Sequence, residues 1–285
     1  MIKVDNCQNV GEVLTKIGAD KPYELRPIAN FPRNRGVFDG NDNPVAIVSH
    51  TYPLLQPTKA FEYVDTIRGE LGYDFDQAGF ANHGRKLFVS LRKKNALVID
   101  PKVDDILDEV IYFWTSFDGS IKTLFNQMIE RLVCENGMVT MDIQSSAKVK
   151  HSSQQEGKLE DYVNEVIDIQ GVFQSSYDAI QRLVDVKIKE KDAKEVINRL
   201  FKGESKASER IREDVLGRFQ NGLGNRGETA WDLLNGITEY QNHGKTFRSS
   251  EGETISASEN RFKSLTMGRD AKMMQNIWDE CLALN

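Results

Sequence analysis

The chain has little of several features that would assign a class of protein at once. Its 285 residues include three cysteines, Cys7, Cys134 and Cys281, which are far apart and odd in number. We therefore expect reduced thiols, with neither a disulfide framework nor a paired cysteine metal motif. No apolar stretch approaches the roughly 18 residues of a membrane span. Asp5 and Glu12 also interrupt the region where a secretory signal would be apolar, so we expect a cytoplasmic protein without membrane contact.

The common catalytic and cofactor motifs are missing as well. The four histidines, His50, His83, His151 and His243, have no ligand partner at helical spacing, so no metal is predicted. The glycine-rich stretch 221–227, NGLGNRG, lacks the Lys-Ser/Thr end of a phosphate-binding loop, and there is no Gly-x-Ser-x-Gly elbow. We predict no cofactor, and these motifs identify no catalytic residue.

Positive charge is also in short supply. Lys and Arg total 37 against 43 Asp and Glu, a formal net charge of -6, which excludes a protein that coats nucleic acid over its whole surface. A local basic surface remains possible at 83–94, HGRKLFVSLRKK, which contains no acid. In a strand, alternation places Lys86, Phe88 and Ser90 on one face, opposite an aliphatic face. A sheet that binds single-stranded nucleic acid needs cations that contact the phosphates and an aromatic ring on which a base can stack.

The candidate nucleic-acid-binding residues come from this stretch and from cations on the strands expected beside it. They are Arg85, Lys86, Phe88, Arg92, Lys93, Lys94, Lys122, Arg131, Lys148 and Lys150. The alternative is an ordinary solvated strand end, where Lys and Arg protect a sheet edge from aggregation. Sequence alone leaves both interpretations open.

Hydrophobic periodicity indicates a strand-rich region, 1–150, followed by a helical region, 151–285, packed on it within one continuous globular unit. Asp118-Gly119 and Asn136-Gly137, flanked by apolar runs, are strong hairpin signals. Strands are predicted at 76–81, 86–91, 110–117, 121–128, 131–134 and 138–143, and helices at 58–71, 158–182, 192–201, 208–221, 229–242 and 256–284. The predicted class is α+β: an antiparallel sheet with a helix packed across it, then a mainly helical C-terminal half.

One predicted helix, within 227–244, carries polar residues at a spacing that packing alone does not require. Thr229 is its expected N-cap and Gly244 its expected C-cap. Four residues share one face at i, i+4 spacing: Trp231, Asn235, Glu239 and His243. An ordinary solvated helix face is the plain interpretation of this stripe. The alternative is a contact surface, or a polar pocket that also includes Asp118, although an Asp beside Gly equally suits turn geometry.

Several blocks of sequence resemble a known family. They are Val48, Ser49 and Tyr52 before a helix start, the segment TSFDGSIKTLF from Thr115, RLVCENGM from Arg131, His151, and the Trp, Asn, Thr-Glu-Tyr and His signature of the stripe helix. In this order, over residues 45 to 280, they resemble a phage- and plasmid-borne family known as domain of unknown function nine-three-two. The resemblance implies a mobile-element protein and no particular activity. A remote similarity to Rad-fifty-two-like single-strand annealing proteins adds a hypothesis of function.

The leading hypothesis is a phage- or plasmid-encoded protein of the bacterial cytoplasm that binds single-stranded DNA. It extends to a homo-oligomer that anneals complementary strands in recombination, without catalysis. One alternative is an enzyme acting on nucleic acid or nucleotides, with a pocket around Asn235, Glu239 and His243. Another is an anti-defence protein whose acidic surface mimics DNA.

Overall fold

The computed structural model describes residues 2–100, 105–131, 139–140, 148–168, 170–241 and 269–284. The strands are β1 Ile2–Lys3, β2 Glu24–Pro27, β3 Asn34–Phe38, β4 Pro44–Ser49, β5 Asp74–Ala81, β6 Lys86–Asp100, β7 Asp105–Ser116, β8 Thr123–Arg131, β9 Val139–Thr140 and β10 Lys148–Val149. The helices are α1 Val10–Ile17, α2 Pro57–Leu71, α3 Gln155–Asp168, α4 Gln170–Asp185, α5 Glu190–Leu200, α6 Lys206–Asn221, α7 Ala230–Glu239 and α8 Arg269–Leu282. The predicted α+β class is confirmed, with helices mainly in the C-terminal half.

Two sheets are formed by the described strands. The larger has the order β1-β5-β6-β7-β8-β10, with β9 also paired to β8, and the smaller has the order β2-β3-β4. The run from β5 to β8 is the expected meander. The turn signal Asp118-Gly119 lies between β7 and β8, whereas Asn136-Gly137 lies outside the described residues. None of the described helices is long and apolar enough to cross a membrane.

The chain forms two compact units that interleave along the sequence. Unit 1 consists of Met1–Lys93, Val110–Gln127 and Gln144–Gln170, and unit 2 of Lys94–Glu109, Met128–Ile143 and Gly171–Asn285. The chain passes between the units within β6, β7 and β8. These bounds therefore differ from a division into 1–150 and 151–285.

The core of unit 1 is built on the amphipathic helix α2 and the larger sheet. Phe61, Val64 and Ile67 of α2 are buried in the same cluster as Leu87 and Val89 of β6. Pro57 begins α2, where its missing N–H needs no partner. The αL residue Gly72, with φ of 71°, ends it, as the sequence predicts.

The predicted exposed face of β6 is wrong. Lys86 is 4% exposed, Phe88 1% and Ser90 0%, because both faces of this part of the strand are covered. The Phe88 ring packs against Trp114 at a centroid distance of 5.1 Å. The Ser90 hydroxyl donates to Asp76 Oδ2 at 3.2 Å. A buried hydroxyl with a partner costs little, so the polar residue at this position does not indicate solvent.

Unit 2 contains the stripe helix, α7. Thr229 is its N-cap as predicted, and its side chain accepts from Asp232 N while Asp232 accepts from Thr229 N, which forms a capping box. Gly236 lets α7 approach α6 closely, since a Cβ there would lie 2.6 Å from Phe219 N. The described part of the chain stops before His243 and Gly244, so the predicted C-cap lies outside the described residues.

Candidate functional site

Two cations predicted to contact phosphate are used inside the fold. Arg131 is 3% exposed and its Nε donates to Asp105 Oδ1 at 2.6 Å. Arg92 is half-buried and pairs with Asp76 at 3.1 Å. Both guanidinium groups are paired with buried carboxylates. The prediction that Arg131 lies on an exposed binding surface is therefore wrong. Of the other candidates, Arg85, Lys93, Lys94, Lys122 and Lys150 are exposed, and the Lys148 side chain lies outside the described residues.

An open cleft of about 560 Å³ lies at the end of unit 1 where β7 turns into β8. It is also lined by residues of β3, of β4 and of the segments that follow β4 and β10. Its side chains that carry polar groups include Ser49, Tyr52, Asp118, Lys122, Lys150 and His151. The cleft brings together two of the predicted cations, Lys122 and Lys150, with an aromatic hydroxyl and an imidazole. Lys93 is not among its lining residues.

Tyr52 and His151 form a hydrogen-bonded pair in this cleft. Their rings stack with centroids 5.4 Å apart and an interplanar angle of 28°. His151 Nε2 lies 2.9 Å from the carbonyl oxygen of Ile121, which can only accept, so Nε2 carries a hydrogen. His151 Nδ1 then faces Tyr52 Oη at 3.1 Å. Tyr52 Oη also lies 2.9 Å from the carbonyl oxygen of Ser116.

Burial sets the charge state of this pair in the empty cleft. It raises the pKa of Tyr52 above its usual value of 10.0, and the nearby Asp118 carboxylate raises it further. Burial lowers the pKa of His151 from 6.5, against the opposing effects of its hydrogen bond to Ile121, of the Gln155 side chain and of Asp118. At neutral pH the cleft therefore holds a neutral phenol beside a neutral imidazole.

The turn between β7 and β8 fixes the floor of the cleft. Asp118 Oδ1 accepts a hydrogen bond from Ser120 N at 2.9 Å, which confirms the turn role of this aspartate. Gly119 has φ of 70°, and a Cβ at this residue would lie 3.3 Å from Tyr52 Cε2. The left-handed φ favours glycine here, and a Cβ would crowd the Tyr52 ring. The turn thereby holds the Asp118 charge near Tyr52 and His151.

Lys122 and Lys150 line the cleft, each one residue beyond the paired strands β8 and β10. Antiparallel pairing places Lys148 opposite Leu124 and Val149 opposite Thr123. The same register, carried one step further, places Lys150 opposite Lys122. Both are exposed and neither forms a salt bridge with a described residue. Like charges at opposed positions destabilise a strand pair, and an anion between them removes that penalty.

Two exposed apolar side chains lie in the smaller sheet and in the turn between its strands β2 and β3. Ile47, which lines the cleft, is 68% exposed, and Phe31 is 61% exposed. Phe31 lies in the turn that leads to the cleft residue Asn34, whose N–H donates to the Phe31 carbonyl at 3.0 Å. Sequence analysis missed Phe31 because one ring in a loop has no periodic pattern. Its only signal is a ring within a polar, proline-containing turn, NFPRN.

The stripe residues of α7 serve the packing of unit 2 instead of lining this cleft. Trp231 is 3% exposed and its Nε1 donates to Asp105 Oδ2 at 3.0 Å. Asn235 is also 3% exposed. Glu239 pairs with Arg218 of α6. The interpretation of the stripe as a solvated face is therefore wrong for its three described members, which pack or pair inside unit 2. His243 lies outside the described residues.

Comparison with known families places this geometry in context. Residues 44–265 match the family model described as "Domain of unknown function (DUF932)". The chain belongs to this family. No curated protein and no solved structure matches it.

Three of the sequence blocks that resemble the family, all within the matched residues 44–265, meet at the cleft. Ser49 and Tyr52 come from the first block, Asp118 to Lys122 from the second, and His151 from the third. These blocks are up to about 100 positions apart in the sequence, and the fold brings them to one surface. The cleft is therefore the candidate functional site of this DUF932 chain.

Proposed function

We propose that this DUF932 protein binds single-stranded DNA and that the cleft of unit 1 is part of the contact surface. The observation that carries the proposal is the pair of exposed lysines, Lys122 and Lys150, that line the cleft at the end of the β8–β10 pair. A phosphate between them relieves their mutual repulsion and releases condensed counterions from the strand. Because the net charge of the chain is -6, such binding is expected to be confined to a local surface.

Neighbouring groups fit the rest of a nucleotide strand. The exposed Phe31 ring offers a stacking platform for a base, the role that sequence analysis gave to the buried Phe88. Arg85 is exposed, and its carbonyl accepts from Phe117 N at 2.8 Å, which places it beside the turn that carries Asp118. Lys122 and Lys150 thus line the open cleft, Arg85 lies beside its turn, and Phe31 lies in the turn that leads to Asn34. An open, sequence-tolerant surface of this kind suits a flexible single strand better than a rigid duplex.

The proposal is tested by fluorescence anisotropy with a labelled single strand and the matching duplex. We expect preference for the single strand, with affinity that falls steeply between about 50 and 200 mM salt. Phe31→Ala is expected to weaken binding by about 1–3 kcal/mol without lowering the melting temperature, since the ring is exposed. Leu223→Ala, which removes a 58% exposed apolar side chain in unit 2, is the matched control. Absence of binding at the lowest salt would refute the proposal.

The finer part of the proposal is a phage- or plasmid-encoded annealing protein that acts as a homo-oligomer in DNA recombination. Annealing is base pairing between bound strands, so it requires no cofactor and no bond-making residue. We expect light scattering to report a mass above the 32.3 kDa monomer when oligonucleotide is present. A monomer both with and without DNA would contradict annealing by an assembly and leave the binding proposal standing.

A second candidate, an enzyme acting on nucleic acid, is favoured by one observation. Tyr52 Oη lies within hydrogen-bond reach of His151 Nδ1, and Ile121 orients the imidazole through Nε2. A hydroxyl, a neutral base and an orienting group are the arrangement of an activated nucleophile. This site differs from the pocket first expected around Asn235, Glu239 and His243. Incubation with a labelled DNA strand tests this candidate. The wild type is expected to cleave the strand or form a covalent adduct with it, and Tyr52→Phe is expected to do neither.

A further inference from the structure

In their neutral states, Tyr52 and His151 have one polar hydrogen fewer than their hydrogen-bond contacts require. Three short contacts are present: Tyr52 Oη to the Ser116 carbonyl at 2.9 Å, Tyr52 Oη to His151 Nδ1 at 3.1 Å, and His151 Nε2 to the Ile121 carbonyl at 2.9 Å. Both carbonyls can only accept. A neutral tyrosine and a neutral histidine supply two hydrogens for the three contacts. A proton on Nδ1 would let His151 donate to Tyr52 while Tyr52 donates to Ser116, which satisfies all three contacts.

A buried amide next to the ring favours the same protonated state. Gln155, at the start of α3, is 3% exposed, and its Oε1 accepts no hydrogen bond from a described residue. The Gln155 side chain raises the pKa of His151. The surroundings of His151 thus favour a cationic ring through Tyr52, the Ile121 carbonyl and this buried oxygen, although burial alone disfavours it.

The charged and titratable groups that face His151 come from each neighbouring segment. The segment after β4 supplies Tyr52, the turn between β7 and β8 supplies Asp118 and Lys122, and the position after β10 supplies Lys150. From α3 the facing side chain is the neutral amide of Gln155. The two lysines disfavour a positive imidazole in the empty cleft and Asp118 favours it. A bound phosphate would neutralise the effect of the lysines and add negative charge of its own.

We propose that His151 takes up a proton when a phosphate group of single-stranded DNA enters the cleft, so that DNA binding and protonation of His151 are linked. This inference rests on the proposed binding function. It adds a form of regulation to that function, because acidification tightens DNA binding through the side chain of His151.

The direction of the pH effect follows from the two states of His151. In the free protein burial keeps the pKa of His151 below 6.5, and in the complex the phosphate raises it. The gain in affinity is complete below the pKa of the free protein and is lost as pH rises through the higher pKa of the complex. An upward shift of about one pKa unit on binding corresponds to about tenfold tighter binding at the acidic end.

The test measures the affinity for a labelled oligothymidylate from about pH 5 to about pH 8 at constant ionic strength. Thymine carries no group that titrates in this range, so a change in affinity reports on the protein. The wild type is expected to bind about tenfold more tightly at the acidic end, since one pKa unit is a factor of ten. His151→Gln keeps an amide that can hydrogen-bond but cannot titrate, and its affinity is expected to be far less dependent on pH. His50→Gln is the control, because His50 is an exposed histidine close in sequence to the cleft residues Ser49 and Tyr52.

The possible outcomes separate the two proposals. No binding by the wild type at any pH overturns the binding function itself. Binding whose pH dependence is the same in His151→Gln as in the wild type, or is lost in His50→Gln, overturns only the linkage. A second measurement needs no variant: the pKa of His151, followed by NMR in labelled wild-type protein, should rise when oligothymidylate is added. An unchanged His151 pKa with DNA bound overturns the linkage as well.

Discussion

Replacing Arg131 by leucine is expected to lower the free energy of unfolding by about 3–5 kcal/mol, the range seen when one partner of a buried ion pair is removed. Arg131 has five N–H donors and all of them have acceptors. Nε and Nη2 donate to the two carboxylate oxygens of Asp105 at 2.6 and 2.8 Å. The remaining acceptors are Leu223 O, Gly224 O and Asn225 Oδ1, at 3.2 to 3.3 Å. The substitution leaves the Asp105 charge buried, with Trp231 Nε1 as a neutral donor.

Denaturant unfolding measures this loss, and the chain offers a matched control. Arg199 forms an exposed ion pair with Glu280, so Arg199→Leu is expected to cost less than about 1 kcal/mol. Arg131→Lys should lose most of what Arg131→Leu loses, because a single ammonium group cannot reproduce the planar fork. Equal costs for Arg131→Leu and Arg199→Leu would contradict the structural role assigned to Arg131.

The role of Arg131 also explains the glycine-rich loop 221–227. Sequence analysis found that this loop lacks the end of a phosphate-binding loop but assigned it no structure. Its backbone carbonyls at Leu223 and Gly224 and the Asn225 side chain surround one guanidinium group. A cation and the loop that holds it are 92 to 94 positions apart, so no local pattern could relate them.

Local patterns predicted the elements that local interactions determine. The helix at 58–71 was found from its apolar spacing and its Pro and Gly ends, and α2 spans Pro57–Leu71. The turn at Asp118-Gly119 was found from turn chemistry, and it joins β7 to β8. The short helix α1 was not predicted, although its Asn9 cap, which accepts from Glu12 N, and its αL residue Gly18 are standard end signals.

Exposure was not predictable in the same way. Alternation identifies which residues of β6 share a face, and Lys86, Phe88 and Ser90 do share one. Which faces are covered depends on non-local packing, such as the contact of Phe88 with Trp114. The cleft shows the same limit: its blocks were found by family resemblance, but their meeting point depends on the pairing of β8 with β10.

The largest effect on binding is expected from changing Lys122 and Lys150 together to glutamine. Each contact with a phosphate of a single strand contributes about 0.7 to the slope of log affinity against log salt, so two lost contacts should reduce that slope by about 1.4. The same relation gives a loss of about 25-fold in affinity near 0.1 M salt. Both side chains are exposed, so the melting temperature should be unchanged or higher, because their repulsion across the strand pair is removed.

The matched control for this double variant is Lys191→Gln with Lys194→Gln on α5. These lysines are also exposed, at 84% and 52%, and their loss changes the net charge by the same amount. If affinity came from net charge alone, both double variants would weaken binding equally. If it comes from the opposed pair at the cleft, only the Lys122 and Lys150 variant should lower the salt slope. Equal slopes for the wild type and both variants would place the DNA contact elsewhere on the chain, because a surface that loses two phosphate contacts must release fewer counterions.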